Sequence, residues 1–190
     1  MMSTALNYST QDQPIRPADP SYEVKFETNR LRIRKLDWHD LKDFQKLVGD
    51  QEVMEYVTGK AYHSREGEAK LKTVIEAYNK HLNDYWMWAV EDKLSKQFIG
   101  VCLIYKNSKE EEELGIRLQK EFWGKGYGFE LAKGLMRHAI KTMRFKCVKA
   151  YVDTRNTASE MIFLSCGFKP EAEHQNELKG KDRVYVYRRC

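Results

Sequence analysis

The stretch EFWGKGYGFELAKGLMRHAI, Glu121 to Ile140, sets three glycines at alternate positions directly in front of a helical apolar pattern. Leu131, Ala132, Leu135, Met136, Ala139, Ile140 and Met143 recur at the 3.6-residue spacing, which predicts a long helix over Tyr127 to Met143. Gly124, Gly126 and Gly128 fall where a strand, Leu114 to Gln119, turns into that helix. The first turn of a helix has unpaired N–H groups and a partial positive charge, and residues without side chains there let phosphate oxygens reach the backbone. A phosphate, above all a pyrophosphate, suits that geometry. Spacing excludes two better-known loops. A dinucleotide fingerprint begun at Gly126 needs its third glycine at Leu131, and a Walker A loop needs Ser or Thr where Gly126 follows Gly124-Lys125. A turn that needs glycine only for a sharp reversal explains one or two of the three and leaves Lys125 and the helix start unused.

Upstream, YWMWAVED, QFIGVCLIYK and EEELGIRLQ are three short runs rich in aromatic and β-branched residues, and they read as an antiparallel meander. Both faces of FIGVCLIY are apolar, so this strand is expected to be central and covered on both sides. Downstream, VKAYVDT reads as a strand, ASEMIFLSC as a helix ended by Gly167, and FKPEAEH and RVYVYRR as two closing strands. Nearer the start, Leu31 and Ile33 alternate in a strand. Asp37 suits the N-cap of a short helix carrying Leu41, Phe44 and Leu47, and Ser64 the N-cap of another with Leu71, Ile75 and Tyr78 on one face. The order over the second half is ββαβαββ, a mixed α/β (α+β) sheet with helices on its faces. Residues 1–21 hold three of the four prolines and no apolar periodicity. They read as an extended or disordered arm ahead of a single domain over 22–190.

Composition bounds the function classes. A chain of 190 residues with 42% hydrophobic content can bury a substantial core, and no apolar run approaches the roughly 18 residues that a membrane span needs. A soluble, cytoplasmic protein with no membrane partner is expected. Cys102, Cys147, Cys166 and Cys190 lie far apart with no C-x-x-C pair, which favours reduced thiols over a disulfide framework. The five histidines form no H-x-x-x-H or Cys/His cluster, so no metal is expected. A net charge of +5 would suit an anionic ligand and is also common on ordinary surfaces.

A second constellation, NTASEMIFLSCGF, Asn156 to Phe168, opens a helix directly after the strand that follows the long helix. Together with the glycine loop it resembles the GNAT superfamily of acetyl-CoA-dependent N-acetyltransferases, whose phosphate loop reads Q/R-x-x-G-x-G/A. That register falls on Trp123 to Gly128, with Trp123 in place of the usual Gln or Arg. With TNRLRIRKL at the start, EELGIRL before the loop and N-x-x-S...GF after it, the chain is similar to the RimJ/RimL-type branch, the ribosomal-protein N-terminal acetyltransferases. The resemblance covers roughly residues 26 to 190 and implies a GNAT fold, a mixed, mostly antiparallel central sheet with a splayed strand pair.

It also implies roles. The pantetheine arm of CoA would pair with the backbone of Ile116, Arg117 and Leu118, with Gly115 a candidate bulge site. Trp123, Gly124, Lys125, Gly126, Tyr127 and Gly128 would hold the pyrophosphate, and Asn156, Ser159 and Phe163 would meet CoA from the last helix. A carboxylate would help an acceptor amine lose its proton. Among Glu110 to Glu113, Glu113 is the first candidate for that base and Glu112 the second, although a run of four glutamates is also an ordinary solvated turn. Many GNAT enzymes carry a tyrosine acid seven residues after the helix-opening asparagine. Here Phe163 stands there, which leaves Ser159 to donate to the departing sulfur. Simpler structural roles compete: Asn156 as N-cap, Ser159 as a first-turn residue, Phe163 as core.

The expected activity is acetyl transfer from acetyl-CoA to a primary amine by direct attack, with a peptide or protein N-terminal α-amine favoured. A small amine such as a polyamine or aminoglycoside is the alternative acceptor. Two other classes stay open: a non-catalytic CoA-binding protein, and a nucleic-acid-associated module using Lys133, Arg137, Lys141 and Arg144. Nucleic acid is not the expected partner, and monomer and homodimer are both compatible.

Overall fold

The run expected to be covered on both sides forms the middle of the molecule. In the computed structural model, which describes residues 23–189, Phe98 to Ile104 are all buried. Their strand, β4 (Phe98–Lys106), is fourth in an eight-stranded sheet of order β1-β2-β3-β4-β5-β6-β8-β7. The others are β1 (Val24–Glu27), β2 (Leu31–Lys35), β3 (Tyr85–Asp92), β5 (Glu112–Leu118), β6 (Cys147–Asp153), β7 (Lys169–Gln175) and β8 (Lys181–Arg188). The expected arm over 1–21 lies outside the described residues, as does Cys190.

Helices cover both faces. On one, α1 (Leu41–Val48), α2 (Gln51–Met54) and α3 (Ser64–Ala77) bury Phe44, Leu47, Met54, Leu71 and Val74 against Met87, Val101 and Leu103. On the other, α4 (Tyr127–Lys141) and α5 (Thr157–Ser165) bury Leu131, Leu135, Ala139 and Phe163 against Ile99, Cys102, Leu114 and Val148. Alternation along each strand separates the two cores, because successive side chains leave opposite faces.

Every neighbouring strand pair is antiparallel except β5 and β6. These two are parallel and share a single register partner, Glu113 opposite Lys149. They diverge from there, and this is the splayed pair that the family resemblance implied. Two local expectations are corrected. No bulge occurs at Gly115: the β4–β5 register runs unbroken from Gly100 opposite Leu118 to Lys106 opposite Glu112. Glycine is needed there for space, since a Cβ would meet Leu103 Cδ2 at 2.9 Å. The N-cap of α3 is His63 and not Ser64, which is the first helical residue; the His63 N–H donates to Glu66 Oε2 at 2.8 Å. Among the described residues no helix is long and apolar enough to cross a membrane, and no group of three or more His, Cys, Asp or Glu is placed to hold a metal.

Candidate functional site

A cleft of about 1060 Å³ passes through the gap between β5 and β6. Its lining includes residues from both faces of β5: Leu114, Ile116 and Leu118, which pack toward α4 and α5, and Glu113, Gly115 and Arg117, which point to the other face. The cleft therefore joins the two sides of the sheet.

At the α4 mouth lie Trp123, Gly124, Gly126 and Gly128. Gly124 and Gly126 have φ of 70° and 76°, the left-handed region that strains any residue with a Cβ, and Gly126 is the N-cap of α4 with no side-chain bond to its first turn. The Trp123 indole donates to the Leu118 carbonyl at 2.8 Å and ties the loop to the end of β5. Gly128 is required by packing, since a Cβ there would meet Ile162 Cδ1 at 2.7 Å. Lys125 and Tyr127 lie outside the lining. The Tyr127 hydroxyl donates to Asp92 Oδ2 at 3.1 Å, which leaves its backbone as the part available at the helix start.

A clamp that sequence reasoning missed holds the loop from behind. Arg30 donates from Nη1 to the Lys125 carbonyl at 3.0 Å and from Nε to Glu130 Oε2 at 2.7 Å, and its guanidinium lies 4.1 Å from the Tyr127 ring centroid. Glu130 Oε1 accepts from the Arg30 N–H and the Thr28 hydroxyl. Burial alone would raise the Glu130 pKa, but these bonds hold it below the usual glutamate value. The only signal in the sequence is an acidic residue in the first turn of α4, and that carries no hint of a partner 100 residues away.

From α5, Asn156, Ser159 and Phe163 all reach the lining. Asn156 Oδ1 caps the helix by accepting from the Ser159 N–H at 3.0 Å. Phe163 is 3% exposed and meets Phe168 edge-on at 5.3 Å. The cap and core roles thus coexist with exposure of the same residues to the cleft.

The four glutamates separate. Glu110 sits in the turn at φ 61°, paired with Lys106. Glu111 accepts from Lys149 Nζ at 2.7 Å and from the Tyr151 hydroxyl at 2.6 Å, and these bonds draw its pKa down to about 2. Glu112 lies outside the lining, its pKa raised by burial. Glu113 faces the cleft, where burial raises its pKa against hydrogen bonds from Tyr105 and Asn107 Nδ2, the latter 3.2 Å from Oε2. A carboxyl that binds its proton more tightly than usual thus stands at the point where the strand gap closes.

His138 is a packing residue: it stacks on Phe26 at 4.9 Å and meets Trp88 edge-on at 5.6 Å, and burial lowers its pKa.

The family model described as an acetyltransferase (GNAT) domain matches residues 30–169 of this chain. Among curated proteins, the uncharacterized YkkB of Bacillus subtilis is 26% identical over 151 residues, covering 76% of this chain and 85% of YkkB. Two solved structures share the fold. Spermidine N-acetyltransferase from Vibrio cholerae in complex with CoA and spermine has a TM-score of 0.71 at 21% identity, covering 84% of this chain and 95% of that one. RimL, a ribosomal L7/L12 alpha-N-protein acetyltransferase in complex with coenzyme A, has a TM-score of 0.75 at 14% identity, covering 87% and 98%.

Proposed function

The chain belongs to the GNAT acetyltransferase family and is an acyltransferase, and on that premise we propose that it transfers acetyl from acetyl-CoA to a primary amine, with the α-amine of a peptide or protein favoured. The observation that carries this reading is the cleft itself, which runs through the β5–β6 gap from a glycine-lined helix start to a carboxyl of raised pKa. Acetyl-CoA supplies a thioester whose acyl carbon accepts the amine nitrogen. The remaining work falls to the protein's own residues. The N–H groups from Gly124 to Gly128 face a diphosphate at the positive end of α4. Beyond Glu113 the edge of β5 has no register partner on β6, so its backbone is free to pair with an amide-bearing arm. Glu113 takes the proton of the acceptor ammonium, directly or through water, and the neutral amine so formed attacks. Ser159, on the first turn of α5, donates to the departing sulfur, a modest demand because a thiol has a reference pKa of about 8.5.

The α-amine is favoured by chemistry. Its reference pKa of about 7.7 to 8.0 leaves far more neutral amine at pH 7 than the roughly 10.4 of a lysine side chain. RimL acts on a protein α-amine, and the Vibrio enzyme is named for spermidine, so the fold accommodates both kinds of acceptor.

The test is a thiol-release screen with acetyl-CoA against peptides with free N-termini, polyamines and aminoglycosides, with products identified by mass spectrometry. Acetylated peptide N-termini are expected. Acetyl found only on polyamine or aminoglycoside nitrogens would refute the peptide assignment, and no transfer to any amine despite CoA binding would favour a non-catalytic CoA-binding protein.

A further inference from the structure

Five arginines among the described residues are less than fully exposed: Arg30, Arg32, Arg34, Arg117 and Arg183. Four have a carboxylate within ion-pair distance, Arg30 with Glu130, Arg32 with Glu27, Arg34 with Asp40 and Glu91, and Arg183 with Glu160 and Glu173. Arg117 has neither an ion pair nor a hydrogen bond among the described residues, and it lines the cleft. Protein surrounds it closely enough that burial lowers its pKa, against the pull of Tyr85, Tyr62, Tyr105 and Glu113. A guanidinium held in a protein wall without an anion is unfavourable, because its lost hydration is not replaced. Such an arrangement persists where the missing anion arrives with a ligand.

The diphosphate is not that anion. Arg117 is opposite Val101 in the β4–β5 register, and Val101 belongs to the core under α1 and α3, so the Arg117 side chain leaves β5 on that face. The flanking Ile116 and Leu118 turn toward α4, whose N-terminus the glycine loop forms. Arg117 shares its face with Glu113, four residues away along the strand, a separation of roughly 13 Å between Cα atoms. The acceptor side of the cleft thus carries one carboxyl able to take a proton and one unmatched cation.

We propose that Arg117 is an acceptor-binding residue that grips a carboxylate carried by the amine substrate, so that the favoured acceptors are carboxylate-bearing amines. The guanidinium fork matches a carboxylate with two parallel hydrogen bonds, which a lone ammonium cannot do. A polyamine brings only positive charge to that wall and is disfavoured. The carboxylate has two sources, the α-carboxylate of a free amino acid or an acidic side chain near a peptide N-terminus. This inference rests on the acetyl-transfer reading above.

The experiment compares acceptors with and without the carboxylate, alanine with alaninamide for the first source and Asp-Ala-amide with Asn-Ala-amide for the second, with spermidine as a carboxylate-free amine. Every rate is referred to the concentration of neutral amine, because a neighbouring carboxylate raises the amine pKa. For one of the two pairs, kcat/KM is expected to favour the carboxylate about ten- to hundredfold, the usual worth of a charge-assisted pair, mainly through KM. Arg117→Gln should bring that ratio to about one while acetyl-CoA affinity by calorimetry stays unchanged, and Arg117→Lys should keep part of it. Amine acetylation with equal rates for carboxylate and amide in both pairs would overturn the proposal and leave acetyl transfer standing. So would a preference that survives in Arg117→Gln. If no amine were acetylated, the acetyl-transfer reading would fail by itself, and binding of the same pairs to the CoA-loaded protein would decide Arg117's role by the same ratio.

Discussion

In the proposed acetyl transfer Glu113 and Ser159 divide the two proton problems, and each role predicts a measurable difference at its own end. With its pKa raised by burial, Glu113 is protonated and idle in acid and becomes a base as pH rises through that value. The wild-type kcat/KM for a peptide amine should therefore climb through Glu113's pKa, above the ordinary carboxylate range. Glu113→Gln should lose about 100-fold or more between that pKa and the amine's own, and converge on the wild type in alkali, where the amine is already neutral. Superimposable pH profiles would remove Glu113 from the mechanism. For Ser159, whose N–H is used by the Asn156 cap while its side chain lines the cleft, replacement by Ala spares the backbone bond. Ser159→Ala should lower kcat with little change in acetyl-CoA affinity, checked by single-turnover kinetics. Wild-type turnover with chemistry rate-limiting would withdraw the serine.

At the scale of elements, the glycine loop is the start of α4 held down by β1–β2. Gly126 keeps φ at 76°, and a Cβ built there would lie 3.5 Å from Arg30 Nη2, an ordinary contact. Gly126→Asp takes on left-handed strain of about 1–2 kcal/mol, which aspartate bears better than most residues. With no backbone clash it should still fold, its carboxylate beside Arg30, while its charge repels a diphosphate; calorimetry should show acetyl-CoA binding abolished. Unchanged affinity in the folded variant would sink the phosphate-loop assignment. Glu130→Ala acts from behind by freeing Arg30, and should raise the KM for acetyl-CoA about tenfold with a smaller effect on kcat, measured in steady state. How much was legible in the sequence follows from range. The α4 face, the Asn156 cap and the Gly167 stop depend on spacings of a few residues and are found where the pattern put them, while the helix ends at Lys141, short of Met143. The Arg30–Glu130 clamp joins residues 100 apart, and the Trp123 indole bond and the Asn107 bond to Glu113, five and six residues apart, depend on the shape of irregular turns; no periodicity encodes either. Gly115 looked like a bulge because a glycine in a strand has two causes. Only the position of Leu103 across the ladder distinguishes crowding from kinking.

At the scale of the whole molecule, the sheet consists of two halves, β1 to β5 and β6 with β8 and β7, joined by one register partner. The seam has to stay open for the cleft to exist, so backbone pairing cannot hold it, and side chains take over beside Glu113. Lys149 on β6 reaches Glu111 at 2.7 Å and Glu171 on β7 at 3.2 Å, and Tyr151 on β6 donates to Glu111 at 2.6 Å. Glu111 and Lys149 are 26% and 18% exposed, so this junction is worth more than a surface ion pair, about 1–2 kcal/mol. Its pH dependence has a definite direction. The Glu111 pKa falls from 4.5 to about 2 on folding, chiefly through the Lys149 and Tyr151 bonds, so the unfolded chain binds its proton more readily. The stabilisation is present in full above about pH 5 and is lost as pH falls toward 2. Glu111→Gln should then be less stable than the wild type at pH 7, and the gap in urea midpoint between the two should close between pH 5 and pH 2. A gap that stays constant down to pH 2 would mean that the charge on Glu111 does not hold the halves together, and that α4 and α5 alone carry the seam.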